Sequence, residues 1–355
     1  MSKVSFNNKQ SPFFDSVKEK VERYFRENNI RQTGNFKLFS KSLILFPIAI
    51  FFYVALVFFS PGIILSVFFC ILFGFTLSII GFNVMHDGAH GCYSRLKWLN
   101  NLSSHSLSVM GGSTFMWKIK HNIMHHSFTN IDGVDDDLNN RPFFRITQND
   151  PKYKVHKYQY IYWVVLYMLS YPSWVFVQDF IKYFSHKISD TKIRKMSFTE
   201  HLKFWGTKLS YFSVFIVIPM FTAGVINTIV GYLILAFSCG FAISLVFQLA
   251  HIVGQAEFPN PESDTNKIEE EWAVHQVKTT VNFATKNKFI SWIVGGLNFQ
   301  VEHHLFPKVS HVHYPQLSKI VKETCLQFDI KYNEYPTMLS AIRAHVLHLK
   351  LMGSM

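Results

Sequence analysis

Apolar residues are gathered into two pairs of long stretches along this chain. The first pair covers 42–59 and 63–85, and the second pair covers 209–223 and 225–250. A helix that crosses the hydrocarbon of a bilayer needs about 20 mostly apolar residues. The pattern therefore predicts an all-α integral membrane protein in which four transmembrane helices form two hairpins.

Charged residues are nearly absent from these stretches. Between Lys41 and Arg95 the only charged residue is Asp87. The third stretch is short, so we expect its helix to begin near residue 204. The Lys208 side chain is then expected to reach towards the membrane surface, as long basic side chains do near helix ends.

Basic residues set the expected orientation of the protein. They are concentrated before each hairpin, whereas the turns at 60–62 and near Gly224 carry no charge. Because Lys and Arg favour the cytoplasmic side, we expect both termini and the candidate site to be cytoplasmic, at the inner membrane if the cell is bacterial. The N-terminal arm is charged before any apolar run, unlike a cleaved signal peptide. The basic residues before the hairpins are Lys18, Lys20, Arg23, Arg26, Arg31, Lys37 and Lys41, then Lys182, Lys187, Lys192, Arg194, Lys195, Lys203 and Lys208.

A fifth apolar stretch, 160–180, is ambiguous. It contains Pro172 and ends in Gln178 and Asp179. If it crossed the membrane, everything after it would change side, and the later histidines would face away from the earlier ones. We therefore interpret it as an interfacial or half-buried helix. The shorter stretch 289–299 is interpreted in the same way.

These patterns predict one membrane domain, 1–355, with a cytoplasmic helical cap. Its expected parts are a cytoplasmic N-terminal arm (1–41), the first hairpin (42–85), a first part of the cap with interfacial helices (86–203), the second hairpin (204–250), and a second part of the cap with C-terminal helices (251–355).

Composition excludes several other classes of protein. Hydrophobic residues make up 49% of the 355 residues and aromatic residues 17%, which excludes a disordered chain. Four cysteines are too few for a disulfide scaffold, and Cys70 and Cys239 lie in apolar runs, which indicates reduced core thiols. The net charge is +12, but the basic residues flank apolar runs instead of alternating with aromatic residues, so no nucleic-acid partner is expected.

The candidate chemistry lies in the placement of the 17 histidines. Three groups follow apolar stretches or lie near their ends, and one further histidine ends the fourth stretch. The groups are His86 and His90 in HDGAH; His121, His125 and His126 in HNIMHH; Gln300, His303 and His304 in QVEHH; and the single His251.

The spacing within these groups predicts a site for two metals. Residues four apart share one helix face, so His86 and His90 can converge on one point. Adjacent residues diverge by about 100° on a helix, so His303 and His304 can serve two neighbouring centres, as can the adjacent pair at 125–126. Imidazole suits iron, zinc or copper, whereas calcium and magnesium prefer oxygen ligands. One pair alone would be weak evidence; three groups on one predicted membrane face indicate metal binding.

Other polar residues near the groups leave alternatives open. His251 is either a ligand or a solvated helix end, and Gln300 is a weak direct ligand that can act through water. His275 is a ligand, a partner of a ligand, or a solvated histidine. Acidic residues beside the groups can orient metal-bound imidazoles or simply form solvated turns; they are Asp87, Asp132, Asp135, Asp136, Asp137 and Glu302. The remaining histidines, expected at the surface or in packing, are His105, His156, His186, His201, His311, His313, His345 and His348.

The three histidine groups in this order, with two hairpins between and around them, resemble the membrane fatty acid desaturase family. The resemblance runs from about Lys37 to Pro315. Gln300 in place of a first histidine resembles the subgroup of front-end acyl-lipid, acyl-CoA and sphingolipid desaturases. Further stretches resemble that subgroup: HSFTNIDGVDDDL (126–138), WAVHQVKTTVNF (272–283) and GGLNFQVEHHLFP (295–307).

This resemblance implies a catalytic centre of two iron ions with dioxygen as co-substrate. It implies iron ligation by His86, His90, His121, His125, His126, His251, His303 and His304, with Gln300 in the remaining position directly or through water. Many relatives carry a fused haem domain with an HPGG string. This chain has no such string, so we expect a separate electron donor, a ferredoxin or a cytochrome b-type protein.

The expected reaction is oxygen-dependent insertion of a double bond into a fatty acyl chain carried by a lipid or a thioester. Zinc has no redox chemistry, whereas iron can store the electrons that attack on an unactivated methylene requires. A hydroxylase, epoxidase or acetylenase on the same scaffold remains an alternative. A non-catalytic membrane metal-binding protein is the other alternative, although a carrier would place ligands inside its spans.

Overall fold

The structure is a computed structural model that describes residues 4–8, 11–137, 141–189, 191–262 and 264–355. Within these residues the chain is mostly helical. Leu138, which ends the motif after the second histidine group, lies outside the described residues. All four cysteines are buried free thiols, which confirms the expectation for Cys70 and Cys239.

The helices are numbered here in chain order. They are α1 (Pro12–Glu27), α2 (Phe36–Phe59), α3 (Ile63–His90), α4 (Lys97–Ser104), α5 (Ser106–Val109), α6 (114–125), α7 (Lys154–Ser185), α8 (Phe198–Thr222), α9 (Val225–His251), α10 (Trp272–Thr279), α11 (Lys288–Ile293), α12 (Gln300–Leu305), α13 (Tyr314–Gln327) and α14 (Met338–Ser354).

In the described part of the chain, short strands form three two-stranded ladders, of which two join distant segments and one is a local hairpin. The strands are β1 (Ser5–Phe6), β2 (Lys187–Ile188), β3 (Thr191–Lys192), β4 (Lys267–Ile268), β5 (Asn282–Phe283) and β6 (Glu334–Tyr335). The pair β1–β4 is parallel, as is β5–β6, and β2–β3 is antiparallel. The parallel ladders tie the N-terminus and the C-terminal region to the segments that flank α10.

Five helices, α2, α3, α7, α8 and α9, are long and apolar enough to cross a membrane. Turns at Ser60 and Gly224, both with positive φ, join α2 to α3 and α8 to α9 as the sequence predicts. Helix α3 has 28 residues, so it is about 42 Å long, against a hydrocarbon thickness of about 30 Å. Its last turn extends beyond the predicted span and carries His86 and His90.

Helix α9 is packed tightly between α3 and α7. A Cβ atom at Gly74 of α3 would overlap the carbonyl oxygen of Leu235 of α9. A Cβ atom at Gly240 of α9 would lie 2.6 Å from the carbonyl oxygen of Met168 of α7. Only glycine permits such close backbone contact. Helix α9 is therefore fixed in position, and with it His251, its last residue.

Helix α7 contains the ambiguous stretch 160–180, which forms one helix of 32 residues. Pro172 lies inside it, and its hydrogen bonding is π-helical over Trp174–Gln178. Near one end, the Nε2 atom of His156 lies 2.8 Å from the carbonyl oxygen of Pro142. Near the other end, Lys182 donates to Asp136 at 2.6 Å. Both ends therefore contact the same segment, the one that follows the second histidine group.

The expectation for Lys208 is wrong. Its side chain is only 7% exposed and does not reach a surface. It donates to Asp179 of α7 at 2.8 Å and to the carbonyl oxygens of Gly111 and Val175. An ammonium group with three acceptors can be buried, because each N–H is satisfied and one partner is negatively charged. Lys208 thus joins α8 to α7.

The stretch 289–299 differs from its prediction in length. Only α11, Lys288–Ile293, is helical, and Phe289 is 71% exposed there. Gly295 and Gly296 then adopt positive φ values and end the helix. The residues that follow turn inward, so Phe299 is 2% exposed. The predicted interfacial segment is therefore half as long, and its second half supports α12.

The N-terminal arm folds as a helix over the third histidine group. Phe13, Val17 and Val21 of α1 are buried against Leu317 and Val321 of α13. These α1 positions are four apart, so they form one apolar face. The same cluster includes residues of α10 and α12, which places α1 directly on the helices that carry the site.

Helix α14 is held to α7 and α9 by a buried histidine. His345 is fully buried, accepts a hydrogen bond from Tyr167 at 2.8 Å, and donates to the carbonyl oxygen of Ile252 at 2.6 Å. Burial lowers the pKa of His345 to about 4. The imidazole is therefore neutral in the folded protein at neutral pH.

This burial predicts a pH-dependent stability. Between pH 6.5 and pH 4 the unfolded chain binds a proton at His345 that the folded chain excludes, so stability falls as the pH is lowered. The expected loss between pH 7 and pH 5 is about 2 kcal/mol from this one group. Gln at this position can keep both hydrogen bonds without titrating. Melting of the His345→Gln variant in detergent should therefore depend less on pH than melting of the wild type, and equal dependence would contradict the assignment.

Candidate metal centre

The histidine groups lie at the ends of four helices that meet at one place. His86 and His90 end α3, His251 ends α9, and His303 lies on α12. The second group lies at the end of α6, whose hydrogen bonding is π-helical over Lys118–His125. All the histidines of these groups are buried except His90, which is partly exposed.

One set of imidazoles, cluster A, contains His86, His90, His121 and His303. One nitrogen atom of each ring lies within 4.8 Å of the corresponding atoms of the other three rings. The Nε2 atoms of His86 and His121 are 3.2 Å apart. The cluster thus combines one residue pair from α3 with one residue each from α6 and α12.

A second set, cluster B, contains His125, His251 and His304, whose nitrogen atoms also lie within 4.8 Å of one another. The ring centroids of His125 and His251 are 4.7 Å apart, and those of His125 and His304 are 4.8 Å apart. His303 and His304 therefore fall into different clusters, which is the arrangement that adjacent helical residues favour.

His126 lies between the two clusters. Its ligand atoms group with those of His303 of cluster A and His304 of cluster B. Its Nε2 atom is 3.3 Å from the Nε2 atom of His121. The structure thus brings all eight histidines proposed from the sequence into one continuous set.

The nitrogen atoms that face inward fit metal ions well. Buried polar atoms normally have hydrogen-bond partners, and an unpartnered one is costly. Several imidazole nitrogens here have none: the Nε2 atoms of His90, His125, His303 and His304, the Nδ1 atom of His126, and both nitrogens of His251. Converging lone pairs of this kind are what a transition-metal ion requires.

The protonation state of the histidines outside the membrane helices also favours the binding of a cation. Burial, together with neighbouring imidazoles, lowers the pKa of His126, His303 and His304 well below the usual value. These rings are therefore neutral at physiological pH. Neutral imidazole is the form that binds metals, so no proton has to be displaced first.

The outward-facing nitrogens of the candidate ligands are held by polar partners. The Nδ1 atom of His125 lies 2.9 Å from Asp135, and that of His121 lies 3.4 Å from Asp137. Such partners fix the tautomer and leave Nε2 free to face the cluster. Burial raises the pKa of Asp137, but Lys120 and the histidines lower it by more, so this carboxylate is ionised.

Three further partners were not anticipated from the sequence. Tyr314 lies 3.1 Å from Nδ1 of His303, and Gln276 lies 2.8 Å from Nδ1 of His304. Thr129 also contacts that nitrogen, at 3.1 Å. Tyr314 follows His303 by 11 residues, Gln276 precedes His304 by 28, and Thr129 precedes His304 by 175. Thr129 and Gln276 lay in motifs singled out from the sequence, whereas Tyr314 did not.

The other acidic residues serve neighbouring structure. Asp87 accepts from Ser310 at 2.6 Å and pairs with His311 at 3.0 Å. Glu302 accepts from Asn282 and Tyr332. The remaining pairs are Asp132 with Arg141 and Asp136 with Lys182. Of the acidic residues proposed, Asp135 and Asp137 are thus the ones that contact imidazoles of the histidine groups within the described part of the chain.

His275 and two glutamines complete the polar surroundings. The Nε2 atom of His275 contacts the carbonyl oxygen of Thr129 at 2.8 Å, and burial lowers the pKa of His275 to about 4. This contact ties α10 to the segment after the second group. Gln300 is buried in the wall of the cavity described below. Gln248, one turn before His251, has a buried Oε1 atom without a partner, and only its helical spacing from His251 could have indicated it.

The remaining histidines lie where packing was expected or at the surface. His156, His311, His313, His345 and His348 are buried, His105 and His201 are partly exposed, and His186 is exposed.

A cavity of about 230 Å³, called here the site cavity, opens beside cluster A. Its wall includes His86, His121, His303, Gln248 and Gln300. One part of the wall is polar and contains Lys120, Asp136, Asp137, Gln178, Asp179 and Lys182. Another part is apolar and contains Phe82, Leu107, Met110, Tyr171, Trp174 and Ile243. The cavity can therefore accommodate an amphipathic molecule beside the imidazoles.

The apolar helices define a membrane protein. The buried histidine clusters at their ends, beside an amphipathic cavity, define a candidate metal site. The model of the fatty acid desaturase family matches residues 61–336. The chain belongs to the fatty acid desaturase family, which confirms the resemblance found in the sequence.

Individual relatives support the same assignment. A protein of Physcomitrium patens named acyl-lipid (8-3)-desaturase is 36% identical over 96% of this chain and 72% of its own length. A protein of Arthrospira platensis named sn-1 linoleoyl-lipid 6-desaturase is 34% identical over 99% of this chain and 95% of its own length. A protein of Synechocystis with the same name is 31% identical. The protein is thus an oxidoreductase that desaturates fatty acyl chains.

Substitution of single histidines should separate catalysis from folding. His125→Ala, His251→Ala and His303→Ala should each reduce acyl conversion below detection, because each opens the ligand set of a cluster. Membrane insertion should persist, since it depends on the apolar helices. His186→Ala is the control, because this side chain is exposed. The measurement is the fraction of acyl chains converted per unit of inserted protein. Near-normal conversion by His125→Ala or His303→Ala would refute the assignment of these clusters.

Substitution of Asp135 should test the role of the partner carboxylates. Asp135→Asn removes the charge beside His125 and should lower activity by about 10–100-fold, as loss of such partners does in metal sites. Asp132→Asn is a matched control, because the same change in the same segment affects only the pairing with Arg141. Equal activity of the two variants would show that the carboxylate does not support the ligand.

Proposed function

We propose that the protein inserts a double bond near the carboxyl end of an acyl chain of a membrane lipid, using two iron ions and dioxygen. The observation that carries the proposal is the site cavity, in which ligand imidazoles, polar side chains and an apolar wall adjoin one another.

Two irons would be held by imidazoles. Cluster A would hold one ion, cluster B the other, and His126 would lie between them. Gln248 and Gln300 are available to hold water beside the ions. Bound iron would supply the redox chemistry with dioxygen that zinc lacks. The unpartnered buried nitrogens support this ligand set.

The wall of the site cavity would bind and orient the substrate. Trp117 stacks on His121 with ring centroids 4.5 Å apart, and Phe247 lies 5.1 Å from the ring of His125. These aromatic rings, together with Ile243, exclude water from the reacting methylenes and fix their position. Precise positioning of one C–H bond is the contribution that the protein can make to such a reaction.

The polar part of the wall supports desaturation close to the carboxyl end. Asp137 contacts His121, and Lys120 precedes His121 in the chain. Polar groups that suit an ester or a headgroup therefore lie directly beside cluster A. A chain whose ester end rests there presents its first methylenes to the imidazoles. Relatives named for position 6 and for Delta(5) agree with this geometry. The names of the relatives from Physcomitrium patens and Arthrospira platensis contain the word lipid, which favours a lipid over a thioester as the acyl carrier.

The proposed orientation has four crossing helices, α2, α3, α8 and α9, with α7 at the membrane interface. Both ends of α7 contact the segment around Asp136 and Pro142, and these contacts support a helix whose two ends lie on the same side of the membrane. The histidines of α3 and α9 then lie on one side, and the distribution of Lys and Arg makes this side cytoplasmic.

The reaction also requires an electron donor. Two hydrogens leave adjacent methylenes as the double bond forms. Dioxygen accepts these hydrogens with their electrons, together with two electrons from the donor and two protons from solvent, and is released as two water molecules. We propose a separate ferredoxin or cytochrome b-type protein as this donor.

Lipid analysis of cells that express the gene tests the proposal. Cells supplied with linoleate should accumulate membrane lipids that carry one new double bond on the carboxyl side of the existing ones. Mass spectrometry with double-bond localisation, before and after separation of lipids from thioesters, would show this product first in the lipid fraction. A new double bond on the methyl side, or a hydroxylated chain, would contradict the proposal. The His303→Ala variant is the inactive control.

A further inference from the structure

A second cavity lies among the membrane helices, away from the histidines. This distal cavity has a volume of about 450 Å³ and lies beside the turns at Ser60 and Gly224. Its wall is mainly apolar and includes Tyr53, Val57, Phe73, Phe215, Tyr232 and Leu235. The distal cavity is thus at the end of the hairpins opposite to the clusters.

Three tyrosines separate the distal cavity from the site cavity. Tyr171 lines the site cavity, and Tyr232 lines the distal cavity. The hydroxyl of Tyr211 lies between them, 2.8 Å from that of Tyr171 and 2.9 Å from that of Tyr232. Tyr171 donates to the carbonyl oxygen of Met110 at 2.9 Å. Each hydroxyl then donates to the next, from Tyr232 through Tyr211 to Tyr171.

These hydroxyl contacts fix the rings in a closely packed environment. Tyr171 is 1% exposed and Tyr211 is 3% exposed. The Tyr211 ring stacks on Phe215 with centroids 4.7 Å apart. Gly111, at φ +73°, packs so closely that a Cβ atom there would lie 2.8 Å from the Tyr211 ring. The carbonyl oxygen of Gly111 is in turn held by Lys208. The partition therefore joins α7, α8, α9 and the loop before α6.

We propose that Tyr171, Tyr211 and Tyr232 form the floor of the site cavity and limit the length of acyl chain that the enzyme accepts. The proposal rests on the proposed function, because it takes the ester end of the substrate to lie at the polar wall. The methyl end then points to the apolar wall, where Tyr171 lies with Leu107 and Met110. The floor sets how many carbons fit beyond the reacting methylenes.

Hydroxyl pairing explains how polar side chains can form this floor. Each tyrosine hydroxyl pairs with another hydroxyl or with a backbone carbonyl, so the partition needs no water to satisfy its polar groups. The rings supply rigid bulk with two rotatable bonds each. A closed partition therefore remains between two cavities that would otherwise form one deeper space.

A competition assay between acyl chains of different length tests the floor. Cells or membranes that contain the wild type or Tyr171→Ala are supplied with equal amounts of C18 and C22 polyunsaturated chains, and the ratio of long to short products is measured. The variant opens the floor, so this ratio should rise on the order of 10-fold, as expected for several added methylenes in an apolar pocket.

Two matched variants distinguish bulk from hydrogen bonding. Tyr171→Phe keeps the ring and should leave the ratio unchanged. Tyr232→Phe removes a hydroxyl from the same chain of contacts without opening the site cavity, and it should also leave the ratio unchanged. An equal rise of the ratio in Tyr232→Phe and in Tyr171→Ala would overturn the proposal.

A variant of opposite effect keeps the test decisive if Tyr171→Ala does not fold. Leu107 is fully buried in the same wall, and Leu107→Phe should fill the apolar end and lower the ratio. Tyr171→Leu is the milder opening variant and should raise it. Wild-type ratios in both active variants would overturn the proposal. The test is independent of bond position: a misplaced double bond refutes the proposed function, whereas an unchanged length ratio refutes the floor.

Discussion

The candidate centre depends on one constraint: imidazoles with unpartnered nitrogens converge where water is largely excluded. Such nitrogens on His90, His125, His251, His303 and His304 would each be costly if they stayed unpaired. A bound cation removes that cost for all of them together. The surrounding structure holds the rings at this point, through carboxylates and hydroxyls on their outer sides and apolar packing behind them.

The lengths of the helices bring these rings together. Helix α3 and helix α9 are both longer than the hydrocarbon requires, and their extra residues carry His86, His90 and His251. Close contacts at Gly74 and Gly240 fix α9 between α3 and α7. The cap then supplies α6 and α12, with α1 packed on α12 and α13 through its apolar face. The centre is therefore formed by the ends of membrane helices and completed by short helices of the cap.

Much of this site could be predicted from sequence, because the positions of its histidines follow from spacing between residues that are close together in the chain. The spacing of His86 and His90, and the paired histidines at 303–304, follow directly from helical geometry. His251 was identifiable because it ends an apolar stretch. Asp135 and Asp137 were candidates because they follow the second group closely. The hairpin turns at Ser60 and Gly224 were likewise visible as breaks in apolar runs.

What the sequence could not show depends on distant contacts. Tyr314 and Gln276 become partners of ligands only when α13 and α10 pack on α12. Lys208 was expected at a surface, but a carboxylate on another helix, Asp179, permits its burial. The positive φ values of Gly295 and Gly296 shortened a predicted segment. The tyrosine partition likewise joins residues of three helices that no local pattern relates.

X-ray absorption at the iron edge of the purified, iron-loaded enzyme tests the central claim most directly. The ligand set of clusters A and B requires a first shell dominated by imidazole nitrogen and a second iron close to the first. The spectrum should therefore show imidazole multiple scattering and an iron–iron contribution, with about two irons per chain by elemental analysis. A first shell dominated by carboxylate oxygen, or fully active protein with a single iron and no metal neighbour, would contradict the account.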